Sequence, residues 1–442
     1  MKNSNKKGFT IVELVIVIAV IAILAAVLIP TISSLIKKAN LSNDQSMIRN
    51  MNTTLAMEVV PNSKFDYAGE AIAALNASGF AGKYTPYSSG FDYAYHLESN
   101  TMYLVDDNNN VIYPDNKVSV SDLWFLWSNN AVDKVEGATK YVALVSIEGE
   151  SYYDEHFAGD TEYTIDLADH YINTAKLDNV TVINGVLIAG ANGSKTDGVT
   201  EMVQGDKSTI TGATATDGVK VIKNTVFNEP NILAGTANTT FENCYFYGTN
   251  TSGMTINNIT FEGCTFVDAT SYIFNVQGSP AENSPSYKGT LTVNDCTFIN
   301  CARIFNLPLY VLGESTPGSV VITNNTFYGV TGENRSVIQL SSQTIYNTTS
   351  TEKGYINITV SNNTFEEISS TQAGIITLHT NLTSISGLSA DNITISNNTV
   401  SSDIPADKYV VNDDGKADNA FTPYNITEFK TALNNKFVSS KK

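Results

Sequence analysis

A chain of 442 residues with 26 basic against 44 acidic side chains, and a formal net charge of −18, has room for more than one domain and a strong bias against polyanions. Sequence-independent nucleic-acid binding runs on cations, so this composition excludes a general DNA- or RNA-binding role and leaves no nucleic acid among the expected partners.

The first thirty residues set the class. From Phe9 to Ile29 every position is apolar except Thr10 and Glu13, and Lys6, Lys7 and Gly8 stand immediately before the run. As a helix rising about 1.5 Å per residue, this run spans roughly 31 Å, the thickness of a bilayer core of about 30 Å. It is too long for an ordinary secretory h-region, and Pro30, Thr31, Ile32 and Ser33 follow it in place of a small-x-small cleavage pattern. A plain anchor fits the length and leaves Glu13 unexplained, because an acid among aliphatic side chains in a membrane needs a partner. Cleavage between Gly8 and Phe9 would create an amine four residues before Glu13, and a neighbouring copy could then neutralise the acid.

These residues, Lys6-Lys7-Gly8-Phe9-Thr10-Ile11-Val12-Glu13-Leu14 with Pro30 beyond, resemble the prepilin N terminus of the type IV filament superfamily of pilins and pseudopilins. The resemblance implies a leader at 1–8 removed by a prepilin peptidase after Gly8, N-methylation of Phe9, and Glu13 guiding assembly with other pilin subunits. It implies a single-pass membrane protein before assembly and a cell-surface, extracellular filament afterwards.

From Thr31 to about Val60, Ile32, Leu35, Ile36, Ala39, Ile48, Met51, Leu55 and Val59 fall mostly at three- or four-residue steps, so 9–60 reads as one transmembrane and stalk helix bent at Pro30. Lys37, Lys38, Asp44, Arg49 and Glu58 take the other faces. A short helix over Ala68 to Ala77 ends near Gly79. Alternating segments follow around Tyr93 to Leu97 and Met102 to Val105, and Asp106 to Asn110 make a polar turn before Val111 to Pro114. A helix on a small hairpin sheet over 61–116 resembles an α+β pilin head. The Asp106 turn lacks the ligand alternation and glycine of an EF-hand and reads as a hairpin turn, and Asp413, Asp414, Gly415 and Asp418 are likewise not read as a calcium loop. His96, His156, His170 and His379 stand far apart, so no metal site and no cofactor is expected. The stretch 117–140, with Trp124 and Trp127, reads as a packed junction.

Beyond about Lys140 a repeat appears: an apolar residue, two polar or small ones, Cys or Asn, one more residue, then an apolar one. It recurs at Val221–Val226, Phe241–Phe246, Phe261–Phe266, Val293–Phe298, Ile322–Phe327, Val360–Phe365 and Ile395–Val400, with an earlier copy at Leu177 to Val182. Its fourth positions, Asn224, Cys244, Cys264, Cys296, Asn325, Asn363 and Asn398, are separated by 20, 20, 32, 29, 38 and 35 residues. A minimum near 20 with variable excess describes stacked coils carrying loops of different length. Phe246, Phe266, Phe298, Phe327 and Phe365 would form an interior ladder, with the cysteines and asparagines stacked at a corner. This pattern over 141–408 resembles the right-handed parallel β-helix of pectate-lyase-like proteins and surface adhesins, with 409–442 as cap and tail; a β-sandwich array is the alternative. Cys244, Cys264, Cys296 and Cys301 read as buried thiols, with a vertical bridge between coils left open. The sequons at Asn238, Asn258, Asn357 and Asn392 read as turn asparagines beside strand threonines.

An enzyme of this shape needs converging carboxylates and a base. The β-helix has two arginines, Arg303 and Arg335, and Asp268, Asp295, Glu242 and Glu262 read as solvated charges, so no catalytic residue is named and no enzyme is expected. The expectation is a type IV pilin-like subunit, minor or at the tip, showing a β-helix to a carbohydrate or cell-surface ligand. The alternatives are a pseudopilin of a secretion apparatus and a tethered carbohydrate-active enzyme.

Overall fold

The computed structural model describes residues 10–59, 64–127, 135, 137–148, 161–173, 180–188, 220–228, 237–249, 251, 253–254, 256–276, 289–312, 318–330, 336–345, 353–368, 374–379, 390–401, 405, 409–412 and 426–439. The chain divides into two compact units: Met1–Leu126 with Val135–Ala138, and Trp127–Lys134 with Thr139–Lys442.

The first unit is built on helix α1, Ile11–Glu58, which runs through Pro30 without ending. Proline removes one backbone donor and crowds the preceding turn, yet the helix persists, and the Thr31 hydroxyl donates to Val27 O at 2.9 Å in the adjoining turn. Ile32, Leu35 and Ile36 are exposed, so the apolar surface of the upper stalk stays uncovered within the chain, while Ile48, Met51 and Leu55 are fully buried. Asp44, expected on a solvent face, is also buried. Its carboxylate accepts the backbone N–H groups of Tyr87 at 2.7 Å and Ser88 at 2.9 Å and the Tyr93 hydroxyl at 3.0 Å. Burial, with the Asp44 charge second, drives the Tyr93 phenol well above its usual range.

Helix α2, Ala68–Leu75, turns its alanine-rich face inward, and Gly79 follows with φ +90° in the left-handed region that stops the chain from continuing as a helix. Strands β1, Phe91–His96, and β2, Thr101–Asp106, form an antiparallel hairpin, extended on one side by β3, Val111–Tyr113, and on the other by β4, Leu123–Trp127. β4 lies in the stretch read as a junction; its Trp124 pairs with Tyr95, and both Trp124 and Trp127 are buried. Asn52 of α1 reaches β2 as a backbone mimic: its amide donates to Met102 O at 3.1 Å and accepts Met102 N–H at 2.6 Å.

The second unit is a parallel β-helix of three sheets. The first runs from Lys140–Ala143 through Phe241 and Phe261 to Ile393–Ser396, the second from Ile147–Glu148 to Thr399–Val400, and the third from Tyr272–Asn275 to Val410–Asn412. One antiparallel strand, Lys353–Tyr355, pairs with the long strand Arg303–Leu312. Interior rings stack coil upon coil: Phe246–Phe266 centroids are 4.5 Å apart, Phe266–Phe298 4.9 Å, Phe298–Phe327 4.8 Å and Phe327–Phe365 5.0 Å, with interplanar angles of 5 to 12°. Phe227 extends this ladder at 4.7 Å from Phe246, and Phe241–Phe261 and Phe274–Phe305 form parallel stacks at 4.8 Å. Such rings exclude water and fix register, since a one-residue slip would turn each outward.

Two corrections to the repeat follow from register. Ile222 pairs with Phe241 and Thr225 occupies the place of Cys244, so the first unit is Ile222–Phe227 and Asn224 sits at the third position. Val182 pairs with Ile222, so it opens its coil where the sequence pattern made it the close; 177–179 lie outside the described residues. The third position is a corner that needs positive φ, at Asn184, Asn224, Asn243, Asp295, Asn324, Asn362 and Asn397 with φ between 47 and 58°. Asn and Asp tolerate that region and most residues do not. At Gly263, in the same place with φ +62°, a Cβ would stand 2.5 Å from Asn243 Oδ1.

The last coil is covered by helix α3, Thr427–Ser439. Its Phe429, Leu433 and Phe437 are buried, Phe437 lies edge-on to Phe365 at 6.2 Å, and Lys436 Nζ donates to Ala390 O at 2.6 Å and to Ile393 O. A covered end leaves no stack of unpaired strand edges open to another chain.

Candidate functional site

The N terminus of α1 is the site with the most defined chemistry. Gly8 and Phe9 lie outside the described residues. Thr10 is the N-cap: its hydroxyl oxygen accepts Glu13 N–H at 3.3 Å, and the Glu13 carboxylate takes both Thr10 N–H and Thr10 Oγ1–H at 2.9 Å. Such a capping box satisfies orphan donors of the first turn and places the acid at the positive end of the helix dipole. Sequence reasoning looked for Glu13's partner in a neighbouring copy and missed Thr10, although a threonine three residues before a glutamate at the head of an apolar run is the signal for this cap. Beyond it the helix has a mean hydropathy of 3.3 in its most apolar window, none of that window is buried, and large side chains from Ile11 to Ile36 are about half or more exposed. This helix is long and apolar enough to cross a membrane.

Residues 3–29 match the prokaryotic N-terminal methylation motif. The N-terminal segment of this chain is type IV pilin-like. The type IV wide pilus major component PilA4 of Thermus thermophilus is similar to it, 67% identical over 36 residues that make up 8% of this chain and 28% of that relative. The chain thus matches little more than a quarter of the curated relative's length. No solved structure matches the chain.

In the first unit, the polar turn is an Asx turn: Asp106 Oδ1 accepts the backbone N–H of Asn108 at 3.0 Å and of Asn110 at 2.8 Å, and Asn109 takes φ 62°. Slight desolvation raises the Asp106 pKa, and the hydrogen bonds from Asn110 and Asn108 outweigh it, holding the carboxyl below its usual value. His96 Nδ1 lies 2.8 Å from the Ser99 hydroxyl in the tip of the β1–β2 hairpin. Asp413, Asp414, Gly415, Asp418 and His156 lie outside the described residues. Among the described residues, no group of three or more His, Cys, Asp or Glu side chains is placed to hold a metal ion.

In the β-helix, each acid singled out in the sequence has a structural task. Glu242 pairs with Lys223 at 2.7 Å, Glu262 accepts the Asn294 amide at 2.8 Å, and Asp268 and Asp295 take the positive-φ corners. The Arg303 guanidinium lies over the Tyr272 ring at 5.1 Å, and Arg335 lies outside the described residues. The sequon asparagines form their own stacks, with Asn258 donating to Asn238 Oδ1 at 3.2 Å and Asn392 to Asn357 Oδ1 at 3.0 Å.

The fourth positions point inward and share one hydrogen-bond pattern. Cys244, Cys264 and Cys296 donate Sγ–H to Ile222 O, Phe241 O and Phe261 O, the first-position carbonyls of the preceding coil. Asn325, Asn363 and Asn398 donate their amides to Val293 O, Ile322 O and Val360 O in the same way. The four thiols are buried and free, and burial pushes Cys301 up to about 12 and holds Cys244 and Cys296 well above the ordinary thiol value.

Proposed function

We propose that this chain is a subunit of a type IV pilin-like surface filament, at a minor or tip position, that displays its β-helix for adhesion to a carbohydrate or cell-surface ligand. The single observation that supports this most is the pairing of a prepilin methylation motif and an uncovered apolar helix with a separate, capped β-helix unit on the same chain. A prepilin peptidase would cut between Gly8 and Phe9, and the new amine of Phe9 would be methylated. In the filament, apolar helices of sister subunits would cover the face left open from Ile11 to Ile36, and Glu13 would trade water for a positive mate in that bundle. So bulky an appendage favours a rare or terminal position over dense packing along a filament. The part assigned to the β-helix is binding: among the described residues, Glu242 is paired with Lys223, Glu262 accepts the Asn294 amide and Arg303 lies over the Tyr272 ring. A long rigid surface in a multimeric filament gains avidity from many weak contacts.

The test is immunogold imaging of cells carrying a tag after Lys442, in wild type and Glu13→Val. Labelled surface filaments that disappear in the variant support the reading. Label confined to the membrane, or filaments unaffected by Glu13→Val, contradicts it.

A further inference from the structure

The outward face of the second sheet of the β-helix carries a strip without charge. One column along the coil axis reads Tyr247, Val267, Ile299 and Tyr328, each in register with the next. The column two residues earlier on the same strands reads Tyr245, Thr265, Thr297 and Thr326. Tyr245, Tyr247 and Tyr328 are 40%, 42% and 37% exposed, and Val267 and Ile299 form a half-buried floor between the two ends of the strip. The outward column of the first sheet, by contrast, carries Lys223, Glu242 and Glu262. The strip ends at the next coil, where Glu366 follows Tyr328 in register and the neighbouring Glu367 carboxylate raises the Tyr328 phenol above its usual value.

The chemistry of an occupant follows from charge and shape. A chain of net charge −18 repels anionic polymers, and the two columns themselves carry no counter-ion for a cationic one, since Asp268, Glu366 and Glu367 stand only at their edges. The remaining match is a polymer that presents flat C–H faces and hydroxyls together. With coils about 4.8 Å apart, Tyr247 and Tyr328 stand roughly 14 Å from each other on a flat surface, and tyrosine gives a rigid ring with little entropy to lose on binding. We propose that this strip binds an uncharged polysaccharide lying along the coil axis, its sugar rings stacked on Tyr247 and Tyr328 and its hydroxyls bonded to the threonine column. The proposal names a ligand class and a face for the display function above, and it rests on that reading for its biological setting only.

Full-length protein in detergent micelles would be tested for retention on cellulose, amylose, a β-1,3-glucan and a galactomannan, with polygalacturonate as the anionic counterpart. The expected result is retention on at least one neutral glycan, at least tenfold weaker in the double variant Tyr247→Ala, Tyr328→Ala, and unchanged in Thr359→Ala on the first sheet. The pair Tyr247→Phe, Tyr328→Phe keeps both rings and is expected to keep retention, which guards against loss of fold in the alanine pair. No retention on any neutral glycan, equal retention of the alanine pair, or tighter retention on polygalacturonate would overturn the proposal. Surface imaging reports separately on display, so filaments without glycan retention sink this inference alone, and retention without filaments sinks the display reading alone.

Discussion

The Oδ1 of Asn363 accepts both the backbone N–H and the side-chain amide of Asn325, each at 2.9 Å, from the coil before it. Asn398 does the same for Asn363, at 2.9 and 3.1 Å. All three asparagines are buried, so every amide in the ladder is both a partner and a dependant of its neighbour. Their inward turn meets backbone groups at a corner where the strand ladder alone would leave them unpaired.

Asn363→Ala removes the acceptor for a buried N–H and the donor to Ile322 O at once. Leaving a buried group unsatisfied costs about 1–3 kcal/mol. The midpoint of urea unfolding, followed by far-UV circular dichroism, is expected to fall by a corresponding amount.

One residue earlier the same side chain has a different task. Asn362 is exposed and holds φ 57°. Asn362→Ala should cost about 1–2 kcal/mol through backbone strain alone, while Asn362→Gly stays close to wild type. Equal effects of the two substitutions would contradict a conformational role.

These two asparagines explain how far the β-helix was legible in the sequence. The ladder of Phe246, Phe266, Phe298, Phe327 and Phe365 was readable because a fixed cross-section repeats its buried ring. The first copy is offset by one residue because Asn224 resembles the inward asparagine of later coils, and the strand register together with its positive φ assigns it to the corner. Asp44 was hidden for another reason: the groups that fill its carboxylate, Tyr87, Ser88 and Tyr93, lie more than forty residues away in the chain. Nothing local distinguishes such an acid from a solvated one. At the N terminus, the spacing of Thr10 and Glu13 carries the signal for the cap, but the expected intersubunit amine draws on the same carboxylate and led the reading away from it.

Cys301 supplies a pH test. Its thiol moves from an ordinary value of 9.0 to about 12 on burial. The unfolded chain loses this proton first, so the native state binds more protons above pH 9 and stability falls as pH rises from there toward 12. The slope is on the order of 1 kcal/mol per pH unit for this one group. Unfolding free energies at pH 8 and pH 11 should converge more in Cys301→Ala than in the parent; identical pH dependence would show that the thiol ionises equally in both states.

The account turns on maturation of the N terminus, and N-terminal sequencing with mass analysis of the protein recovered from its native cells tests that most directly. A chain beginning at N-methylated Phe9 is the expected result. A chain that keeps Met1 would contradict the filament account and leave a β-helix tethered to a membrane.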